Sequence, residues 1–472
     1  MVLAMAALIA GQFSVENAFG ASQVFLTFTN ANSHFGALNN LPEAPQSSLV
    51  AGTDGIMLYG TTIEGGANGL GGVFGVKEDD SGFFLYHSFS TNLNDGSLSL
   101  THLPSPLGMD GNLGGLVLGR DGWLYGTTVS GGTNNDGTIY RIAQDGTGFQ
   151  VLHSFGSADG YPTAPPIQGT DGALYGTCYS TIYKMNIDGS GYTVLASTAN
   201  MPIFSGLLQA NDGALYGNAM QLASRSGVLF RLTTSGSSFA YLYTNTAGGY
   251  AMGTLAQAPG GYLFGTTYNG GTSNYGTIYM INTNGQGFQT VHNFNDGTVT
   301  NDGANPFSGL VYMGGLFYGT TTTGGGSLAT PFGTIYRIAP DGSGYAPIYS
   351  FLTNSYPNQC CPAAAPTPGV FQGNTGALFG TYESEVGGGN GGSGGVYGLL
   401  INPPATISPA TAVSGGQATI TWPAWALSFT LQSTTNLLSG SWQTVTNGTP
   451  VYGLQVPATN GTLFYRLVSP SQ

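Results

Sequence analysis

Carboxylates are the side chains of this sequence that could carry out hydrolytic chemistry. Glycosidases place two of them about 5 to 10 Å apart across a sugar. Glu383 and Glu385 stand two residues apart and share one face of an extended segment, and Glu64 lies in a comparable loop elsewhere in the chain. These three, with Asn134 and Asn135 in another variable loop, are the candidate ligand-binding residues. Because solvation of a surface loop explains the carboxylates more simply, we predict no catalytic residues.

Histidines invite a metal interpretation, since imidazole is a common zinc ligand. His87, His153 and His292 occupy one position of a repeated sequence. The other copies of that position hold Leu26, Ala196, Tyr243 and Tyr349. A position filled in this way packs against its neighbours, so we predict neither a metal nor a cofactor.

Asp-Gly pairs recur along the chain, at Asp54, Asp121, Asp145, Asp171, Asp188, Asp212 and Asp341. None has the neighbouring acidic positions of a calcium loop. Between two short strands such a pair predicts a tight turn, because Gly accepts a positive φ and Asp bonds its own backbone. Scattered weak calcium binding is the alternative. The sequence has no nucleophile elbow, phosphate loop or His-Glu metal motif.

The elements that position these residues form an internal repeat. Residues 113–155 contain four short apolar stretches separated by Asp-Gly or Gly-Gly, which we name strands A to D. Strand B occurs seven times, as LYGTT at 58–62, LYGTT at 124–128, LYGTC at 174–178, LYGNA at 215–219, LFGTT at 263–267, FYGTT at 317–321 and LFGTY at 378–382. Repeats of this length and strand number predict an all-β fold, a seven-bladed β-propeller.

The fourth strand predicts how the ring closes. Strand D follows strand C six times but is missing after the last copy. A similar stretch, Gln23–Phe28, precedes the first blade. We therefore expect this N-terminal strand to complete the last blade, beside Val396–Leu400, and leave no free sheet edge.

Four of the eight basic residues share one place in strand C: Arg141, Lys184, Arg231 and Arg337. A repeated place indicates a repeated structural task. We expect each aliphatic stem to cross the neighbouring blade while the charge reaches water.

The repeated lines resemble the GloVer-type (Gloeo/Verruco) tandem-repeat proteins, whose units carry a DGxLYGTTxxGG core followed by a GTIYRI-like strand. The resemblance covers roughly residues 22–401 and is strongest in blades two, five and six, whereas blade three lacks the Gly-Gly loop. It implies export and association with a surface or matrix, in a choice-of-anchor class with varied C-terminal modules. It implies no activity.

The chain ends predict two further segments. Residues 1–21 contain an apolar run, Val2–Ala10, of the length of a signal-peptide core, although no Lys or Arg precedes it. Residues 402–472 begin with Asn402-Pro403-Pro404 and show five or six alternating strands without the LYGTT motif. We expect a signal peptide at 1–21, the propeller at 22–401 and a small immunoglobulin-like or fibronectin-like β-sandwich at 402–472.

Composition limits the partners. The net charge of −13, with 8 basic residues, opposes binding to nucleic acid or anionic lipid. No later segment is long and apolar enough to span a bilayer as a helix. The three cysteines make no disulfide framework, and Cys178 replaces a strand Thr, which predicts a small buried side chain.

Two functions fit the sequence. The first is a secreted or cell-surface protein of a bacterial envelope, with a non-enzymatic binding or structural role towards a glycan or an envelope or matrix protein. The alternative is a hydrolase or lyase acting on polysaccharide. A third possibility is that the propeller is only a spacer and the C-terminal β-sandwich binds the ligand. In either of the first two cases the long B-to-C and D-to-A connections share one end of the propeller, so we expect the site there. The oligomeric state does not follow from the sequence.

Overall fold

A computed structural model shows that every regular element among the described residues is a β-strand. The structure describes residues 5–9, 12–16, 23–27, 42–43, 47–78, 82–90, 95–98, 114–198, 201–245, 249–325, 333–351, 364–366, 369–373, 376–384, 394–399, 409–414, 417–421, 430–434, 443–444, 453–457 and 463–468. Within them no helix is long and apolar enough to cross a membrane. Seven antiparallel sheets form the blades of a β-propeller, as predicted.

Each blade pairs its strands in the order A, B, C, D. Blades one to three are Val50–Ala51, Met57–Thr62, Gly72–Lys77, Phe83–Ser88; Leu116–Leu118, Trp123–Thr128, Thr138–Ala143, Gln150–Ser154; and Ile167–Gln168, Leu174–Thr177, Thr181–Met185, Thr193–Ser197. Blades four to six are Leu208–Gln209, Leu215–Gln221, Ser226–Leu232, Phe239–Thr244; Ala256–Gln257, Leu263–Thr267, Thr277–Ile281, Gln289–Asn293; and Val311–Met313, Leu316–Thr321, Thr334–Ile338, Ala346–Ser350.

The seventh blade confirms the predicted closure. Its strands A to C are Phe371–Gln372, Leu378–Ser384 and Gly394–Leu399, and strand D is the N-terminal Gln23–Thr27. A side-chain contact also joins blade seven to blade one, because the Thr381 hydroxyl donates to the Ser47 carbonyl at 3.1 Å. The two ends of the repeat region therefore meet within the ring.

The LYGTT motif explains why the blades pack. In blade two, strand B is buried on both faces apart from its first residue, because the neighbouring blades cover it. Gly126 pairs with Tyr140 of strand C, and a methyl group at Gly126 would overlap the Tyr140 ring. The apolar core lies between blades, as in the cluster that combines Tyr59 and Phe89 with Leu124 and Tyr140.

The two threonines of the motif link strands and blades. The first donates to a carbonyl of the next blade, as from Thr127 to Ala164 at 3.3 Å and from Thr266 to Ser308 at 2.8 Å. The second bonds to a threonine of strand C in its own blade, as between Thr128 and Thr138 at 2.8 Å. These buried hydroxyls replace much of the polar pairing that a chain with 6% charged residues lacks.

A second compact unit contains the chain ends, mainly Met1–Gln23 and Leu399–Gln472. One sheet pairs Gln12–Glu16, Met5–Ile9, Leu463–Val468, Thr430–Thr434 and Gln443–Thr444, and another pairs Pro409–Ser414, Gln417–Thr421 and Gly453–Pro457. Strands thus occur where the sequence predicted a second β-domain, but its sandwich packing stays a prediction. Met5–Ile9 lies inside the apolar run assigned to a signal peptide, and that assignment also stays a prediction.

Candidate functional site

Each blade presents two kinds of connection at its two ends. The A-to-B and C-to-D turns form what we call the turn face, and the B-to-C and D-to-A connections form the loop face. Short ladders join neighbouring connections on the loop face, as between Gly96–Ser97 and Ser130–Gly131 and between Gly303–Ala304 and Thr323–Gly324. The predicted sharing of one end by the long connections is confirmed.

The Asp-Gly pairs build the turn face, as predicted. The Asp145 carboxylate accepts from the Thr147 N–H at 2.9 Å, and Gly146 has a φ of 84°. Equivalent bonds to the backbone two residues on are formed by Asp54, Asp121, Asp171, Asp188, Asp212 and Asp341. These carboxylates hold their own turns, which accounts for their recurrence without a bound ion.

The basic residues of strand C correct one expectation. Lys184 contacts the Asp171 carboxylate at 2.9 Å, and Arg231 contacts that of Asp212 at 3.3 Å, each within its own blade. The guanidinium of Arg141 lies 4.7 Å from the Trp123 ring centroid, also in its own blade. The prediction that these residues cross to the neighbouring blade was wrong for these three, because the carboxylates of the A-to-B turn and a ring of strand B in their own blade are their partners.

These contacts shift the acidic groups of the turn face. Burial raises the pKa of Asp171, but hydrogen bonds from Lys184 and Tyr175 outweigh it and leave the pKa below its usual 3.8. Asp212 behaves in the same way, with Tyr216 and Arg231 as its partners. Both carboxylates are therefore ionised at neutral pH and serve as structural acceptors.

Glutamines connect the turns of adjacent blades. The Gln168 side chain accepts from the Arg120 N–H of blade two at 2.8 Å and donates to the Gly172 carbonyl of its own turn at 3.0 Å. Strand A of blade two ends on Leu118, which has no side-chain amide. Gln144 of the C-to-D turn makes the equivalent bond there and accepts from the Thr53 N–H of blade one at 2.8 Å. These two glutamine side chains of the turn face thus link neighbouring blades.

The repeated histidine position packs between blades, which confirms the structural interpretation. His87 stacks on Phe149 at 3.8 Å between ring centroids, and His292 stacks on Tyr345 at 3.6 Å. His153 stacks on Tyr192 at 3.7 Å, and its Nε2 is buried without a hydrogen-bond partner. Burial lowers the pKa of His153 below its usual 6.5.

The predicted ligand-binding residues all belong to the loop face where the structure describes them. Glu64 starts a two-residue strand whose register partner is Glu43, and Glu383 pairs with Ala365. These two positions belong to adjacent blades, one and seven, and Glu385 lies outside the described residues.

Asn134 and Asn135 shape the B-to-C loop of blade two. The Asn134 amide donates to the Phe155 carbonyl at 3.0 Å. Asn135 has a φ of 59°, and its side-chain oxygen accepts from the Gly131 N–H at 3.0 Å. Both side chains therefore have a structural task, and their contact with a ligand stays a prediction.

The loop face also carries aromatic side chains that the sequence analysis did not single out. Tyr179 and Tyr268 occupy equivalent places after strand B in blades three and five, and both are partly exposed. A comparison of loop positions between blades, rather than of strands alone, would have found them.

Metal and thiol chemistry have little support in the described part of the chain. No group of three or more His, Cys, Asp or Glu side chains there could hold a metal ion. Cys178 is fully buried, as predicted, and burial raises its pKa far above the ordinary value. Cys360 and Cys361 lie outside the described residues.

Comparison with known families supports the predicted resemblance over part of the chain. Residues 178–397 match the model of the Gloeobacter/Verrucomicrobia repeat. None of the curated proteins compared with the chain matches it.

Solved structures resemble the chain at low sequence identity. The extracellular domain of a hybrid two-component system from B. thetaiotaomicron is 10% identical with a TM-score of 0.50, and the match covers 94% of this chain and 56% of that one. A second such domain from the same organism is 11% identical with a TM-score of 0.49, covering 96% and 56%. An oligogalacturonate lyase from Vibrio parahaemolyticus is 10% identical with a TM-score of 0.36, covering 60% and 88%. The chain thus spans 56% of the length of either extracellular domain, and the first match shows the fold alone.

Proposed function

We propose that this chain is a secreted or cell-surface protein that binds a glycan or an envelope or matrix protein, without catalysis, through its loop face. The observation that carries the proposal is the difference between the two faces. On the turn face the described Asp and Gln side chains bond their own or adjacent turns. The loop face combines connections of variable length with partly exposed aromatic rings, which is typical of ligand-binding surfaces on rigid scaffolds.

The proposal for localisation rests on the repeat family and on the fold. The fold is shared with an extracellular domain, and the resemblance of the repeats implies export. If residues 1–21 are a signal peptide, the mature protein lacks the strand Met5–Ile9 that pairs with Leu463–Val468. N-terminal sequencing of protein secreted by a bacterial host decides this, since an intact Met1 would refute cleavage.

A glycan array tests the binding function. The full chain should be retained by at least one glycan, and the double variant Glu383→Ala with Glu385→Ala should weaken retention without lowering the melting temperature. A matched change on the turn face, Asp145→Ala, should leave retention unchanged. If the glutamate variant is retained as strongly as the unmodified chain and the Asp145 variant is not, the site lies on the turn face and the proposed placement is wrong.

The enzymatic alternative depends on one feature. Glu43 and Glu64 are register partners in a two-stranded ladder, and directly opposed Cα atoms lie about 4.5–5.5 Å apart. Two carboxylate-bearing positions are thus adjacent on the loop face. A reducing-end assay on neutral and acidic polysaccharides tests for a hydrolase, and activity that Glu64→Gln abolishes would replace the binding proposal.

A further inference from the structure

The loop face contains the same three-ring arrangement twice. One ring comes from the D-to-A connection that enters a blade, one from the B-to-C loop of that blade, and one from the connection into the next blade. The two sets are Tyr161, Tyr179 and Phe204 around blade three, and Tyr250, Tyr268 and Phe307 around blade five. We call them the first and second aromatic triads.

The two triads share their ring spacings, but the two tyrosine rings are tilted by 40° in the first triad and stacked at 14° in the second. The tyrosine rings are 5.4 Å apart in the first triad and 5.6 Å apart in the second. The middle tyrosine meets the phenylalanine at 6.1 Å and 85° in the first, and at 5.9 Å and 90° in the second. Two unrelated surface aromatics would not reproduce both distances and the perpendicular third ring.

Hydrogen bonds hold the backbone of the tyrosine that carries the middle ring of each triad. The Tyr179 N–H donates to the Tyr161 carbonyl at 2.9 Å, and the Tyr268 N–H donates to the Tyr250 carbonyl at 2.9 Å. The Tyr179 carbonyl accepts from the Ile203 N–H at 2.8 Å. Proline at 306 has no N–H for the equivalent bond, and the Asn305 side-chain amide donates to the Tyr268 carbonyl at 2.9 Å instead.

A shared floor connects the triads across blade four. Met220 and Met252 are 1% and 3% exposed and form one cluster with the buried ring of Tyr250. Phe204, Tyr268 and Phe307 pack on this cluster but stay partly exposed. These three rings are therefore held in place by packing, and binding to them costs little side-chain entropy.

The chemistry of the triads indicates the class of ligand that would bind them. An aromatic face carries negative partial charge and attracts the polarised C–H groups of a sugar ring, and phenol groups can hydrogen-bond its hydroxyls. The net charge of −13 opposes a polyanion. Two platforms with similar ring spacings, separated by one blade, suit a polymer that repeats.

We infer that the two aromatic triads are two subsites for a neutral polysaccharide, with one sugar residue stacked at each. This inference rests on the proposed binding function of the loop face, and adds the class of ligand and two aromatic subsites to the carboxylate positions named there.

Affinity electrophoresis of the full chain tests the inference, in native gels containing xyloglucan, galactomannan or arabinoxylan, with alginate as the anionic comparison. We expect retardation by a neutral polymer and none by alginate. Tyr179→Ala and Tyr268→Ala should each raise the dissociation constant about two- to tenfold, and the double variant by about the product of the two. Tyr262→Ala, which removes a ring 37% exposed on the turn face, is the matched control and should change nothing.

Further variants separate binding from folding. Tyr179→Phe keeps the ring and should keep most of the affinity, while Tyr179→Leu keeps apolar packing and should lose as much as alanine. A melting temperature within a few degrees of the wild type shows that the fold is intact.

The possible outcomes distinguish this inference from the proposed function. Retardation that the triad variants do not reduce would overturn the inference and leave the binding function standing. Binding to alginate or to an envelope protein alone would also overturn it, since the ligand class would be wrong. A chain that binds no glycan and no envelope protein would contradict the proposed function itself.

Discussion

Replacing Thr381 by valine probes the closure of the ring. The substitution keeps the shape of the side chain and removes the hydroxyl that donates to the Ser47 carbonyl at 3.1 Å. Thr381 is 0% exposed and Ser47 is 1% exposed, so water cannot replace the lost donor. A buried acceptor left without a partner costs about 1–3 kcal/mol.

The loss converts into a measurable shift. For a cooperative unit of roughly 370 residues, about 1–3 kcal/mol lowers the melting temperature by about 1–4 °C. Thermal and urea denaturation followed by circular dichroism measure it. Thr127→Val is the control, since Thr127 makes the same bond to Ala164 between blades that are continuous in sequence. If Thr127→Val destabilises the protein and Thr381→Val does not, blades seven and one are not joined as described.

Three other perturbations test parts of the account. Burial lowers the pKa of His153 below 6.5, so the unfolded chain binds the proton more readily and the free energy of unfolding should fall as the pH drops from 7 to 5. His153→Phe should therefore flatten the dependence of the urea midpoint on pH over this range. An unchanged dependence would refute the assignment. Gln144→Ala and Gln168→Ala should each lower the free energy of unfolding, measured with urea, by about 0.5–1.5 kcal/mol. An unchanged free energy of unfolding in both variants would show that these bonds between turns do not stabilise the ring. Deleting residues 22–30 should expose the edge of Gly394–Leu399 and promote aggregation, which light scattering measures. A monodisperse product would contradict closure of the last blade by the N-terminal strand.

The sequence alone predicted the features that the repeat itself encodes. Seven copies of LYGTT and the misplaced fourth strand at Gln23–Phe28 required a closed ring with the N-terminal strand in the last blade. Asp-Gly turns such as that at Asp145 followed from local backbone chemistry, which needs no knowledge of neighbouring blades. The shared position of His87 and Tyr243 likewise indicated packing before any ring contact was known.

Contacts that depend on three-dimensional neighbours were beyond the sequence. Leu118 ends strand A of blade two without an amide, and nothing in the alignment of strands shows that Gln144, 26 residues later, supplies the same bond. The basic side chains contact partners within their own blade, a carboxylate of the A-to-B turn for Lys184 and a ring of strand B for Arg141. The triads combine rings from three connections, and only the fold shows that Tyr161 and Phe204 lie beside Tyr179.

Hydrogen exchange of the full chain, with and without the glycan that retains it most strongly on an array, tests the central claim that ligand binds the loop face. The account predicts slower exchange in residues 157–163, 178–182, 201–206 and 249–254, which belong to the loop-face connections around the aromatic triads. Exchange in the turn-face residues 119–123 and 144–148 should not change. Protection confined to those turns, with the loop-face connections unaffected, would contradict the assignment of the binding surface.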